Sequence, residues 1–241
     1  MRKADIGIKL TSIDSHKIYW ANVISKFHFD LGEIEPHRKV WFTSDLHYFH
    51  KGAIKWRNLA GHNFDSLDDM HEYFIEMWNS CVAECDLVVH VGDFSFGRVK
   101  VTESIIKRLN GTILFVMGNH DYVLPKVEGA FIQQYLEFKY KGQLVCVFHY
   151  PILSWNSQDH GSIHLYGHMH GQMSKSYNLG RSMDVGYDAN FKMLSLQKCV
   201  NICNAKPILK REHIGKSKFK LYQWWLKLKN KIRNWKIGSS D

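Results

Sequence analysis

From Val40 onward the chain alternates apolar runs with polar clusters. Five runs, Val40–Ser44, Leu87–Val91, Thr112–Met117, Gln143–Phe148 and Ser162–Tyr166, are unbroken by charge and stop abruptly. Short continuous runs of this kind predict strands buried on both faces. Between the first two, the chain from Ser66 to about Cys85 predicts a helix. Ser66 stands at the cap, Asp68 and Asp69 occupy the first turn, and Met70, Phe74, Met77 and Trp78 recur at helical spacing. A second helix is expected over Thr102–Leu109, stopped by Asn110-Gly111, and a third over Leu196–Cys203. Residues 1–38 alternate short apolar and charged stretches (Ile6–Leu10, Lys17–Trp20, Val23–Phe29), which predicts one or two strands packed beside the main body.

Composition narrows the class. With 45% hydrophobic and 14% aromatic residues and only four prolines, the chain is neither disordered, collagenous nor a small disulfide scaffold. The 32 Lys and Arg against 23 Asp and Glu give a formal charge of +9, and residues 206–241 alone hold eleven basic residues and two acids. The body is therefore balanced and the tail carries the whole excess. In that tail Leu221, Trp225, Leu228, Ile232 and Trp235 fall on one helical stripe, flanked by Lys220, Lys227 and Lys231 on one side and Lys229, Arg233 and Lys236 on the other. A basic amphipathic helix over 216–236 would suit an anionic membrane surface or nucleic-acid phosphates, or would dock on the body or on a second copy. No apolar run approaches the roughly 20 residues that span a bilayer, and charges interrupt every apolar stretch after Met1. Cys81, Cys85, Cys146, Cys199 and Cys203 lack zinc-site spacing and read as reduced thiols. The expected location is cytoplasmic, with peripheral membrane attachment through the tail as the alternative.

The candidate chemistry collects where the five runs stop. They end at Asp45-Leu46-His47, Gly92-Asp93, Gly118-Asn119-His120-Asp121, His149-Tyr150-Pro151 and Gly167-His168-Met169-His170. Strand ends on one edge of an α/β sheet converge, and ligands bind there. Asp45/His47 and His168/His170 are each two apart, so on a strand each pair would share a face. Carboxylate and imidazole without thiolate suit manganese, iron, zinc or nickel. Seven candidate ligands, Asp45, His47, Asp93, Asn119, His149, His168 and His170, are too many for one ion and suit two ions sharing a carboxylate. Two divalent ions against two aspartates and a hydroxide leave a charge of about +1, a trap for an anionic phosphate.

The ordered set Asp-x-His, Gly-Asp, Gly-Asn-His-Asp, His and Gly-His-x-His resembles the calcineurin-like metallophosphoesterase superfamily. The runs Ser44–His50, Gly92–Gly97, Leu109–Gly111 and Met183–Asp188 are similar to its small bacterial and phage phosphohydrolase branch. Roughly residues 39–203 carry the likeness. It implies an α/β fold in four layers, αββα, with two mixed β-sheets flanked by helices. It implies a catalytic domain over 39–205, between an N-terminal extension (1–38) and the basic tail (206–241). It further implies that Asp45, His47 and His170 hold one metal and that Asn119, His149 and His168 hold the other, with Asp93 bridging. The metals would be two divalent ions, manganese first, with iron, zinc, nickel or magnesium as alternatives. A bridging hydroxide would attack the ester while His120 assists the leaving group.

The implied activity is hydrolysis of a small or nucleotide-like phosphate ester. The alternatives are a nuclease or cyclic-nucleotide phosphodiesterase using the tail to hold nucleic acid or membrane, and a non-catalytic tethering module. His50, Arg57 and Arg98 are candidate substrate contacts. Asp121 is expected to orient His120 or cap the following turn, and His90 and His164 to be hydrogen-bonded structural residues. Tyr48, Phe49, Trp56, Phe94, Phe96 and Tyr122 would either form an aromatic wall for a nucleobase or pack as core. Substrate choice and oligomeric state are not readable from the chain.

Overall fold

A computed structural model describes residues 15–24, 30–31, 34, 36–173 and 177–210. The stripe in the tail and the Ile6–Leu10 stretch lie outside the described residues.

The apolar runs form the centre of two facing sheets. In the first, β1 (Val40–Thr43), β2 (Leu87–Val91), β3 (Thr112–Val116) and β4 (Phe131–Gln133) run parallel, and β9 (Leu194–Ser195) joins β1 antiparallel, in the order β4-β3-β2-β1-β9. In the second, β5 (Leu136–Tyr140) pairs antiparallel with β6 (Gln143–Val147), which continues parallel into β7 (Ile163–Tyr166) and β8 (Ser182–Asp184). This is an α/β protein with two mixed sheets flanked by helices, as the resemblance implies.

The continuous apolar character of β1 to β3 has a direct cause. Val40, Phe42, Leu87, Val89, Leu114 and Val116 face the second sheet, where they meet Phe138, Val145, Val147, Leu165 and Met183. Their neighbours Val88, Ile113 and Phe115 face the other way, onto helices α2 (Lys51–Leu59), α3 (Leu67–Cys81) and α4 (Val99–Ile106). With alternation of side chains along a strand, burial on both faces requires every position to be apolar. Ser66 caps α3 by accepting the Asp69 N–H (3.1 Å), an interaction worth about 1 kcal/mol. Helix α6 (Leu196–Asn204) adds Leu196, Cys199, Val200 and Cys203 to the interior between the sheets. The short α5 (Tyr187–Asn190) follows β8.

Several expected boundaries shift. Lys17–Trp20 and the start of the Val23–Phe29 stretch are not strand but helix, α1 (Ser15–Ile24). Tyr19, Trp20, Val23 and Ile24 recur at helical spacing and pack together on the interior. Trp20 is fully buried and its indole N–H donates to Cys85 O (3.0 Å). After His50 the chain forms α2, which buries Ala53 and Arg57 one turn apart. Helix α3 stops at Cys81 rather than Cys85, because Asp86 accepts the N–H groups of Ala83 and Lys39 (3.0 and 2.8 Å) and turns the chain into β2. Helix α4 begins three residues earlier than its apolar spacing indicated. No helix among the described residues is long and apolar enough to cross a membrane.

Because Trp20 ties α1 to both the interior and the α3–β2 turn, Trp20→Ala should cost about 3–5 kcal/mol in urea unfolding. A loss below about 1 kcal/mol would show that α1 rests on the domain without stabilising it.

Candidate metal centre

The loops that leave β1 and β2 run side by side: Asp45 N–H donates to Gly92 O (2.9 Å), His47 N–H to Asp93 O (3.1 Å) and Tyr48 N–H to Phe94 O (2.9 Å). The expectation that Asp45/His47 and His168/His170 share strand faces is not met. Both strands end before the first member of each pair, and the loops instead place Asp45, His47, Phe49, Asp93, His168 and His170 in the left-handed region, with φ between 49° and 68°. Such residues cost on the order of 1–3 kcal/mol each and persist only where their surroundings hold them.

The holding contacts are specific. Arg57, fully buried, donates to Asp45 O (2.7 Å) and Leu46 O (2.9 Å), and its Nε pairs with Asp188 (3.0 Å). All its polar reach is thus spent inside the protein, which corrects its candidacy as a substrate contact. His71 Nε2 on α3 accepts the Phe49 N–H (2.9 Å). Asp121 does not reach the His120 ring but accepts the N–H groups of Asp93, Phe94 and Gly118 (2.7, 2.8 and 2.9 Å), binding the β2 and β3 loops to each other. A side chain at Gly92 would collide with the His149 ring, and one at Gly118 with the Asp93 carboxylate; bare backbone is needed at both.

Two groups of donors result. His47 Nε2 and His170 Nε2 stand 3.3 Å apart, with Asp45 Oδ1 3.9 and 3.8 Å from them. The point equidistant from the corners of that triangle lies about 2.1 Å from each, the length of an imidazole–metal bond. In the second group Asp93 Oδ2 is 3.6 Å and Asn119 Oδ1 3.1 Å from His149 Nε2, and a ring nitrogen of His168 lies within 4.8 Å of the Asp93 and His149 donors. Asp93 Oδ2 is also 3.8 Å from His47 Nε2, so it stands between the groups.

Tautomers follow from the partners. His149 Nδ1 donates to Val91 O (2.8 Å) and its Nε2 points at the Asn119 side-chain oxygen; burial would lower this imidazole, but its contact with Asp93, the Asp45 charge and the Val91 carbonyl outweigh that and raise it. His170 Nδ1 meets Asp188 (2.6 Å), and its Nε2 faces His47 Nε2 (3.3 Å). In the neutral form of each ring, the Nδ1 contact places the lone pair on Nε2, where a cation can take it. The seven residues therefore fit divalent ions, in two groups with a shared carboxylate.

Titration shifts express the same arrangement. Burial raises the Asp45 carboxyl to about 7, only partly offset by His149 and His170. Burial would also raise Asp93, but its hydrogen bond to His149, the His149 charge, the His120 N–H and His47 outweigh it and bring it to about 2. Burial drops His47 to about 3, which keeps it neutral.

His120 keeps its side chain 36% exposed, with Nε2 4.0 Å from Asp93 Oδ2, its backbone N–H on Asp93 Oδ1 (2.9 Å) and Nδ1 3.2 Å from the Tyr122 hydroxyl. His50 is half-buried, its ring 5.8 Å from His47 and 4.4 Å from Phe96. Arg98 is exposed at the start of α4, two residues past Phe96. His164 bonds Cys146 O and Tyr150 O (3.3 and 3.2 Å). His90 departs from expectation: neither ring nitrogen has a partner, and burial lowers it to about 3, so it sits neutral against Phe94. Of the aromatic set, Tyr48 and Phe94 are fully buried core, Phe49 and Phe96 are half-buried, and Trp56 and Tyr122 are exposed. Residue-by-residue reading overlooked Asp188, Asp184, Ser44 and His71. The signal for the first two lay in Met183–Asp188, where Asp184 accepts the N–H groups of Gly171 and Gly186 (3.0 and 2.7 Å).

A model of the calcineurin-like phosphoesterases matches residues 38–231, and the chain belongs to that family. It is 28% identical over 173 residues to an uncharacterized protein of Methanocaldococcus jannaschii, a match covering 71% of this chain and 86% of that one. It is 26% identical over 198 residues to the gene 66 protein of Mycobacterium phage L5, covering 68% of this chain and 94% of the phage protein. Its fold is similar to that of a protein of unknown function from Aquifex aeolicus, with a TM-score of 0.55 at 19% identity, over 69% of this chain and 100% of the other.

The Asp188 carboxylate orients His170 from behind, and such partners contribute about 10–100-fold to metal affinity. Asp188→Asn should weaken one of two ions by that factor in a chelator competition titration and leave the other near its wild-type affinity. Equal weakening of both, or of neither, would contradict the assignment.

Proposed function

We propose that the protein is a dinuclear metal-dependent phosphoesterase acting on a small or nucleotide-like phosphate ester. The observation that carries this reading is the pair of converging donor groups with Asp93 Oδ2 between them. Divalent ions held there, manganese foremost, would neutralise the ester's charge and bring the ionisation of water toward neutral pH. The protein's own groups do the rest. His47 is held neutral by burial, and Val91 O fixes the His149 ring with its Nε2 toward Asp93 and Asn119. Asp93 stays anionic across the neutral range, since it titrates near 2. His120, outside both groups and partly open to solvent, is placed to hand a proton to the departing ester oxygen.

Manganese-loaded protein should hydrolyse p-nitrophenyl phosphate or bis-p-nitrophenyl phosphate. His120→Ala should lose about 10²–10⁴-fold in kcat, and Asp93→Asn should be at background. The ester preferred separates phosphatase from nuclease or cyclic-phosphodiesterase chemistry. No turnover with manganese, nickel, zinc or magnesium, or turnover indifferent to Asp93→Asn, would refute the reading and favour a tethering role.

A further inference from the structure

Large hydrophobic side chains left in water are unfavourable, and grouped exposure marks a binding surface. Three of the exposed aromatics among the described residues surround the donor groups. Trp56 is 36% exposed, with its ring 5.9 Å from both His47 and His170 and nearly perpendicular to each. Tyr150, also 36% exposed, lies 4.6 Å from the His168 ring and 5.0 Å from His149. Tyr122, 64% exposed, bonds His120. Each donor group thus has an exposed aromatic beside it, and the proton donor stands with a third.

Lys51 and Lys55 are exposed one helical turn apart on α2, directly before Trp56, and α2 contains no acidic residue. Between the aromatics, His120 and His170 remain 36% and 25% exposed, so the reacting position is not enclosed. A substrate therefore has room to extend past the phosphate.

Resting on the phosphoesterase reading, we infer the substrate class: a phosphodiester linkage of single-stranded nucleic acid. The base on one side of the linkage stacks on Trp56 and the base on the other on Tyr150, while Lys51 and Lys55 meet a neighbouring backbone phosphate. A monoester would use one flank and leave the other aromatic wet. Flat rings suit bases of any sequence, because every base offers a π-face. In the step itself one P–O bond to a nucleoside breaks, water supplies the new oxygen on phosphorus, and the leaving oxygen takes its proton from His120.

The test uses full-length manganese-loaded protein with a short oligothymidylate and an abasic oligomer of the same backbone. Wild-type protein should favour the oligothymidylate in kcat/KM by about 10- to 100-fold, as stacked bases contribute. Trp56→Ala and Tyr150→Ala should each shrink that ratio toward one, chiefly through KM, and Trp56→Phe should retain most of it. Anisotropy of the two labelled oligomers on Asp93→Asn protein reads the same preference without turnover. A ratio near one in wild-type protein, a ratio untouched by both alanine variants, or equal binding of the two oligomers would overturn the clamp. Hydrolysis of nitrophenyl esters alongside any of these would leave the phosphoesterase reading standing. Base-dependent binding with no hydrolysis of any ester would instead support the clamp and sink the chemistry.

Discussion

The structure depends on a buried carboxylate at the seam of two sheets. Asp45 leaves the first sheet with no solvent exposure, and both its oxygens accept the backbone N–H of His168, which leaves the second (3.1 and 3.0 Å). Ser44 donates its hydroxyl to the same group. These contacts do not fully repay the lost hydration, which is why Asp45 titrates near 7 and not in the usual carboxylate range. A divalent cation beside it would supply the missing compensation. Metal affinity and fold stability are then coupled, because a charge that is costly in the empty protein becomes favourable in the filled one.

Around this seam the protein holds a set of backbone conformations that would not form alone. Of the six left-handed residues, Asp45, His47, Phe49 and Asp93 are held through Arg57, His71 and Asp121, none of which belongs to either donor group, and His168 is held by its N–H on the Asp45 carboxylate. Stability is drawn from the apolar interior between the sheets and from the helices behind the first one, and part of it goes into holding the site. His90 and Asp188 illustrate the two sides. The first is a polar ring left unpartnered in the core, and the second is a carboxylate kept only because Arg57 and His170 both bind it.

Much of this was legible in the residues. The five central strands and α3 could be read because burial on both faces, or on one helical face, leaves an unmistakable periodicity. β4, β5, β8 and β9 could not, since all four are sheet edges and three of them are only two or three residues long. Helix α1 was mistaken for strand because Lys17–Trp20 is too short to show its period, and its partners, Cys85 and the sheet interior, are distant in sequence. At the site, the residue types and their order pointed to two groups. Their true geometry depended on left-handed turns that spacing alone cannot reveal, and Arg57 looked available only because its partners Asp45, Leu46 and Asp188 are assembled by folding.

The account stands on two cation positions sharing Asp93, and anomalous X-ray diffraction from manganese-soaked crystals reads them directly. Two peaks per chain are predicted, one among Asp45, His47 and His170 and one among Asn119, His149 and His168, with Asp93 contacting both. A single peak, or density that leaves the Asp93 carboxylate uncoordinated, would contradict it.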